Sequence, residues 1–316
     1  MRPTAFIDLH CDTLTACTKS ELAPDPLMDP DAAWSLSNLP KDVCWSQCFA
    51  IFLPDGLSQQ EAILSYRRHR DSFFHQMDRF SSQIKSCHTA ADIQAAWQEG
   101  KTAALLTVEN GSALGGDLRQ VEELARDGVK LMTLTWNGQN EIASGVSAQG
   151  GLSSFGYSLL PLLESSNILI DVSHLNDQSF WDVMQATSLP LVASHSNARA
   201  ICPHPRNLTD DQIRALVERG GLIGLNYYTR FLQENGLPQL EDLFRHVAHF
   251  LDLGAECCLA FGSDFDGADL PSWLQNPKQA VALYDCFLKH GLSPALCDQL
   301  MWGNALSFFE KNLRIN

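Results

Sequence analysis

Eight short apolar runs punctuate the chain: Ala5–Leu9, Gln47–Leu53, Thr102–Val108, Val129–Leu134, Ile168–Val172, Leu189–Ser194, Gly221–Asn226 and Cys257–Gly262. Each is apolar nearly throughout rather than alternating, the pattern of parallel strands covered on both faces. Between them, apolar residues recur at helical spacing in Ala90–Glu99, Asp117–Asp127, Asp177–Ala186, Thr209–Gly220 and Leu240–Leu253. Several of these open on Asp or Thr, whose side chains cap helix N-termini, and Thr209–Gly220 ends on a glycine stop. Two further helical stretches, Ser293–Met301 and Ala305–Asn312, close the chain. Strand and helix alternate without a repeat, a low-complexity tract or a polar linker. The expectation is an α/β fold, a single (β/α)8 barrel domain over residues 1–316 with C-terminal helices. A doubly wound open sheet is the alternative, weakened because no GxGxxG turn follows the first strand. Thr13 to Trp45 is long for a βα connection and is expected to be an insertion over the barrel mouth.

Polar residues gather at the C-terminal ends of these strands, the side of a barrel on which active sites are built. The ends read Leu9-His10-Cys11-Asp12, Val108-Glu109-Asn110-Gly111, Asp171-Val172-Ser173-His174, Ala193-Ser194-His195-Ser196 and Gly262-Ser263-Asp264-Phe265-Asp266-Gly267. His10 and Asp12 share a strand face by their period-two spacing. With Glu109, His174 and His195 they make a nitrogen and oxygen donor set without thiolate, suited to Zn²⁺ and its first-row neighbours. Glu109 stands alone on its strand and is the candidate bridge between two metals. Such a pair activates a shared hydroxide and polarises a carbonyl, with Asp264 placed to take the proton and pass it on. The Asp264–Gly267 stretch also has the look of a plain turn in which Gly267 supplies positive φ. Arg206, in the loop after the sixth strand, suits a substrate carboxylate or a helix cap equally well.

Composition narrows the class. The 316 residues are 45% hydrophobic and 19% charged, with 22 Lys plus Arg against 37 Asp plus Glu and a net charge of −15. That balance argues against a phosphate-backbone binder and against a polybasic membrane anchor. No apolar run reaches the ~18 residues of a membrane span. The chain reaches His10 before any secretory signal could be completed, so a cytoplasmic location is expected. The ten cysteines include no CxxC pair and read as reduced structural thiols.

Taken together, Asp8-Leu9-His10-Cys11-Asp12-Thr13, Val108-Glu109-Asn110-Gly111, Asp171-Val172-Ser173-His174, Ser194-His195-Ser196-Asn197, Arg206-Asn207 and Gly262-Ser263-Asp264-Phe265-Asp266-Gly267 resemble the renal or membrane dipeptidase family of the amidohydrolase superfamily. They run in the family's order from residue 6 to residue 267. The resemblance implies a zinc-dependent dipeptidase on a TIM-like barrel, cleaving free dipeptides including ones with a C-terminal D-residue. It implies one zinc on His10 and Asp12, a second on His174 and His195, and Glu109 between them. Asp264 matches the catalytic aspartate and Arg206 the arginine for the substrate carboxylate. Many members are homodimers, and this chain resembles a cytoplasmic bacterial-type relative. One position departs from the family: Trp136 falls where mammalian members carry a His that stabilises the tetrahedral intermediate. Asn137 or Asn140 would then donate to substrate instead, or the metals alone would carry that load. A related binuclear hydrolase of lactones, cyclic amides or acylated amino acids, and a barrel that binds peptide without turnover, are the competing readings.

Overall fold

The computed structural model describes residues 3–19 and 26–314. Nine parallel strands form: β1 (Ala5–Cys11), β2 (Cys44–Phe52), β3 (Ile84–Ser86), β4 (Thr102–Glu109), β5 (Leu131–Thr133), β6 (Leu169–Asp171), β7 (Val192–Ala193), β8 (Leu222–Leu225) and β9 (Leu259–Phe261). β1 pairs with both β2 and β9, and β2 pairs with β4, so eight of them close a ring. Each predicted run contains one barrel strand. β3 pairs only with the first half of β4, from Ile84↔Thr102 to Ser86↔Ala104, and stands outside the ring. Three residues reading Ile-Lys-Ser carry too little pattern to announce it.

The barrel interior is apolar below its C-terminal rim. Ile7, Leu9, Cys48, Ala103, Leu105, Leu131, Leu169, Val192, Leu222 and Ala260 pack together there, and Ala305, Leu306, Phe308 and Phe309 close the opposite end. The outer layer fills the space beneath the helices, where Phe6 stacks on Trp45 with ring centroids 4.5 Å apart. A barrel of this kind is a packed core, and its chemistry is confined to the rim.

Two helices escape the sequence pattern for identifiable reasons. Gln59–Arg79 buries Ala62, Tyr66, His69, Phe73, Gln76 and Met77 along one stripe, but His69 and Gln76 interrupt its apolar period. Ser154–Ser165 is apolar on most sides and holds Pro161 in its interior, which argues against a helix on propensity alone. Of the helices expected, Ala90–Gln98, Gln120–Arg126, Asp177–Ala186, Asp210–Glu218 and Leu240–Asp252 form within a few residues of the stated bounds.

An insertion follows β1, as the spacing to β2 predicts. It opens with a helix, Thr13–Lys19, of which Thr15 lines the cavity. Residues 20–25 lie outside the described residues. Asp266 then clamps the chain, accepting from Thr13 Oγ1 at 2.6 Å, Ala33 N at 2.7 Å and Trp34 N at 3.2 Å. Trp34 is fully buried edge-on to Phe49. Beyond it the segment runs through the short 3₁₀ turn Leu36–Asn38 to the start of β2. No helix among the described residues is long and apolar enough to cross a membrane.

Candidate functional site

The site starts with an irregularity in β1. Its register with β2 runs from Ala5↔Cys44 to Asp8↔Gln47 and then slips one residue, to Cys11↔Phe49. Ile7 and Leu9 face inward, so strict alternation would turn His10 out of the barrel. The bulge absorbs the extra residue, and His10 and Asp12 both reach the rim's interior. Asp8 holds this bulge. Its Oδ1 accepts from His10 N at 3.3 Å and Ser263 N at 2.8 Å, and its Oδ2 accepts from Ser263 Oγ at 2.6 Å. Ser263 Oγ in turn accepts from Phe265 N at 3.1 Å, fixing the turn that carries Asp264. Burial pushes the Asp8 carboxyl up to about 6, with its hydrogen bonds acting the other way.

Glu109 stands at the end of β4 with its two oxygens facing different partners. Oε2 lies 3.3 Å from His10 Nε2, which is itself 3.4 Å from Asp12 Oδ2. Oε1 lies 2.9 Å from His174 Nε2 and 3.7 Å from His195 Nε2. Those two imidazole nitrogens are 2.9 Å apart and converge on one spot. All five side chains are buried. His10 Nε2 and Asp12 Oδ1 are buried and find no hydrogen-bond partner among the described residues. Buried polar atoms left without partners call for an explanation, and a bound cation would supply one here. Two overlapping groups, His10–Glu109–His195 and His10–Asp12–Asp264, each bring one donor atom per residue within 4.8 Å of the others.

Electrostatics favour the same use. Burial, then Arg206 and His10, drive the His174 pKa well below its ordinary value, and burial, then His10 and Arg206, do so for His195. Both imidazoles are therefore neutral with lone pairs to offer. Burial also disfavours charge on His10, yet the Glu109 and Asp12 carboxylates outweigh it and raise its pKa well above the usual range. Asp12 is pushed up to about 6 by burial and by the neighbouring Glu109 charge.

Each imidazole of the pair has its other nitrogen engaged. His174 Nδ1 lies 3.0 Å from Asn137 Oδ1, which accepts its proton. His195 Nδ1 lies 2.7 Å from Ser194 Oγ, and Ser194 Oγ donates to Asp171 Oδ2 at 2.5 Å. Asp171 also accepts from Ser173 N, Ser194 N and Thr133 Oγ1, so β5, β6 and β7 meet on one carboxylate. These contacts leave Nε2 of both rings facing Glu109, the orientation a metal-binding histidine needs. Ser194→Ala is accordingly expected to weaken metal binding by about 10- to 100-fold with the fold intact, measured by metal titration into chelated protein.

The turns at the rim are strained in a consistent way. Asn110, His174, Asp264 and Asp266 all adopt positive φ, between 64° and 81°. Such conformations in residues other than glycine cluster where geometry matters more than local comfort. Gly267 is not among the positive-φ residues, contrary to the turn expected from the sequence. Its role is spatial: an added Cβ would lie 2.0 Å from Asp12 Oδ2 and 2.6 Å from Asp264 Oδ1.

A cavity of about 530 Å³ opens over these groups, lined among others by Asp12, Glu109, Trp136, Asn137, His174, Arg206 and Asp264. Arg206 is 5% exposed, and its Nε has no partner. Its guanidinium lies over the Phe231 ring at 5.3 Å and donates to His195 O at 3.3 Å. No ion pair holds it among the described residues. Burial lowers its pKa to about 10 against the pull of Asp264, Glu109 and Asp171, so it stays charged near neutrality. Asp264 Oδ2 accepts from Asn226 Nδ2 at 3.0 Å, while Oδ1 lies 3.9 Å from His10 Nε2. Burial raises the Asp264 carboxyl to about 7, with His10 and Asn226 opposing and Asp12 and Glu109 adding to the shift.

Of the residues singled out from the sequence, His10 and His195 join the donor cluster without lining the cavity, and Asn140 is brought to neither. Its Nδ2 donates to Asn110 Oδ1 and Leu134 O, and its Oδ1 accepts from Ile142 N and Ala143 N. A side-chain amide with two donors and two acceptances filled has nothing left for a ligand. Asn226 escaped the sequence reading, although it closes the seventh apolar run. Counting Asn alongside His, Asp and Glu at strand ends would have found it. Phe52, Tyr228 and Phe231 also line the cavity, without a signal separating them from core aromatics.

A closed parallel barrel with imidazoles and carboxylates converging at its C-terminal rim defines the class of metal-dependent hydrolases. The profile of the membrane dipeptidase family, peptidase family M19, matches residues 1–314. The chain belongs to that family and is a metallo-dipeptidase, a hydrolase of peptide bonds. An uncharacterized protein of the pqqA 5′ region of Klebsiella pneumoniae is 33% identical over 238 residues, covering 72% of this chain and 88% of that one. Among solved structures, a metallo peptidase of family M19 called dipeptidase AC superposes with a TM-score of 0.93 at 26% identity, covering 98% of this chain and 99% of its own. A metallo peptidase from Rhodobacter sphaeroides, liganded with a phosphinate mimic of the dipeptide L-Ala-D-Ala, shares the fold with a TM-score of 0.92 at 24% identity, covering 98% and 99%.

Proposed function

We propose that this chain is a zinc dipeptidase with two metal positions, His10 and Asp12 serving one and His174 and His195 the other. The observation that supports this most directly is Glu109, whose two oxygens each face a different set of donors. Two divalent cations bound there would polarise the scissile carbonyl and lower the pKa of a shared water. The chain's own residues do the rest. Asp264, raised to about 7 and held through Oδ2 by Asn226, takes the water's proton and delivers it to the leaving amine. Asn137 has its Oδ1 committed to His174, which turns its Nδ2 to the carbonyl oxygen as charge develops there. Arg206 takes the C-terminal carboxylate, its buried guanidinium having no carboxylate partner among the described residues. Dipeptides with a C-terminal D-residue belong to this reading, in keeping with the L-Ala-D-Ala mimic bound by the Rhodobacter sphaeroides relative.

The test is release of free amino acids from L,L- and L,D-dipeptides by protein supplied with zinc and assayed for bound metal. Failure on every dipeptide by metal-loaded protein overturns the proposal and turns attention to lactones, cyclic amides and acylated amino acids. Arg206→Ala is expected to raise KM by about 10²-fold or more, the scale of losing a buried charge-assisted pair, with metal content unchanged. Unchanged KM would remove Arg206 from substrate binding.

A further inference from the structure

The position of Trp136 leads to a statement about which dipeptides the enzyme takes. Phe52, at the end of β2, and Trp136, just beyond β5, meet edge-to-face with ring centroids 5.2 Å apart and an interplanar angle of 73°. Both line the cavity. They span the arc of the ring from β2 across β4 to β5, with Phe52 in register with Glu109 on the neighbouring strand. Arg206 belongs to the loop between β7 and β8, on the opposite side of the ring. A dipeptide whose carboxylate lies on Arg206 and whose carbonyl lies over Glu109 therefore extends its N-terminal residue toward the Phe52–Trp136 wall.

Charge in the cavity is distributed to match. The aspartates that line it, Asp12, Asp264, Asp266 and Asp269, all come from the ends of β1 and β9. The substrate's ammonium group is drawn to that arc. The neighbouring arc offers aromatic faces; of its carboxylates, Glu109 lines the cavity and is turned toward the imidazoles, whereas Asp55 is taken up by Gly138 N and Asn110 Nδ2. Ammonium and side chain of the N-terminal residue are thereby separated onto two adjoining walls, one acidic and one apolar.

We infer that Phe52 and Trp136 form the subsite for the N-terminal side chain and select dipeptides whose first residue is large and apolar. The inference rests on the dipeptidase reading given above, and on Arg206 as the carboxylate site. Trp136 is thus a specificity determinant, and the indole fills space against which an apolar side chain is buried. Buried apolar contact in such a pocket discriminates by about 10- to 200-fold per methylene at most, which sets the scale of the effect.

The experiment compares kcat/KM for Leu-Ala, Phe-Ala, Gly-Ala and Asp-Ala in wild type, Phe52→Ala, Trp136→Ala and Phe52→Leu, each assayed for bound metal. Wild type is expected to favour Leu-Ala and Phe-Ala over Gly-Ala and Asp-Ala by about tenfold or more. Each alanine variant is expected to shrink the Phe-Ala to Gly-Ala ratio about tenfold, chiefly through KM, and Phe52→Leu to restore most of it. A general loss of structure would lower all four substrates alike and leave the ratio unmoved. The inference is overturned by ratios unchanged in both alanine variants, or by a wild type that prefers Gly or Asp in first place. Turnover of no dipeptide by metal-loaded protein is a different failure, because it removes the dipeptidase reading itself.

Discussion

If Glu109 joins two metal positions as proposed, Glu109→Gln is expected to reduce peptidase activity on the order of 10³-fold or more and to lower bound metal from two equivalents to one or none. The substitution keeps the shape of a buried side chain, so packing is little disturbed. It removes the negative charge and replaces one oxygen with an NH₂ group, which cannot be a ligand. The oxygen that remains can face His10 and Asp12, or His174 and His195, but not both sets as the carboxylate does. Polarising a carbonyl by metal is worth several kcal/mol, and each 1.36 kcal/mol of barrier is about tenfold in rate. Metal analysis of the purified variant together with kcat on a dipeptide checks the expectation. Two retained equivalents would show that Glu109 is not shared.

Asp264→Asn separates two roles that the geometry brings close. Asp264 stands within reach of His10 and Asp12, so a ligand could occupy this place as readily as a proton carrier. Its hydrogen bond from Asn226 and its raised pKa favour the carrier. As a carrier, its loss is expected to cut kcat by about 10²- to 10⁴-fold, with KM changed little and both metals retained. As a ligand, its loss would deplete metal in proportion to activity. The paired measurement of kcat and metal content decides between them, and full activity in the variant would exclude both.

The barrel was legible because each of its strands is sheathed on both faces and so stands out as an apolar run. The chemistry was legible because a barrel collects it at one end, where His10, Glu109, His174, His195 and Asp264 interrupt those runs. What could not be read is what tertiary contact decides. The bulge that turns His10 inward is held by Asp8 and Ser263, residues from opposite ends of the chain. Gly267 looks like a turn residue until the carboxylates beside it are seen. Asn137 and Asn140 carry the same side chain three positions apart. One touches His174 and lines the cavity, whereas the other is consumed by loop backbone. The helix Gln59–Arg79 hid because buried polar side chains, His69 and Gln76, sit in its stripe.

The Asp8–Ser263 contact joins residues 255 apart in sequence. Contacts of such separation form late, since the loop they close must first lose its freedom. During synthesis His10 and Asp12 emerge first, and the strand that sets their bulge is among the last to follow. A nascent chain ending before β9 has an open sheet on both sides of the gap and no geometry in which His10 and Asp12 meet Asp264. An ion held by residues of the finished ring would stabilise it against reopening, because the open chain lacks part of that arrangement.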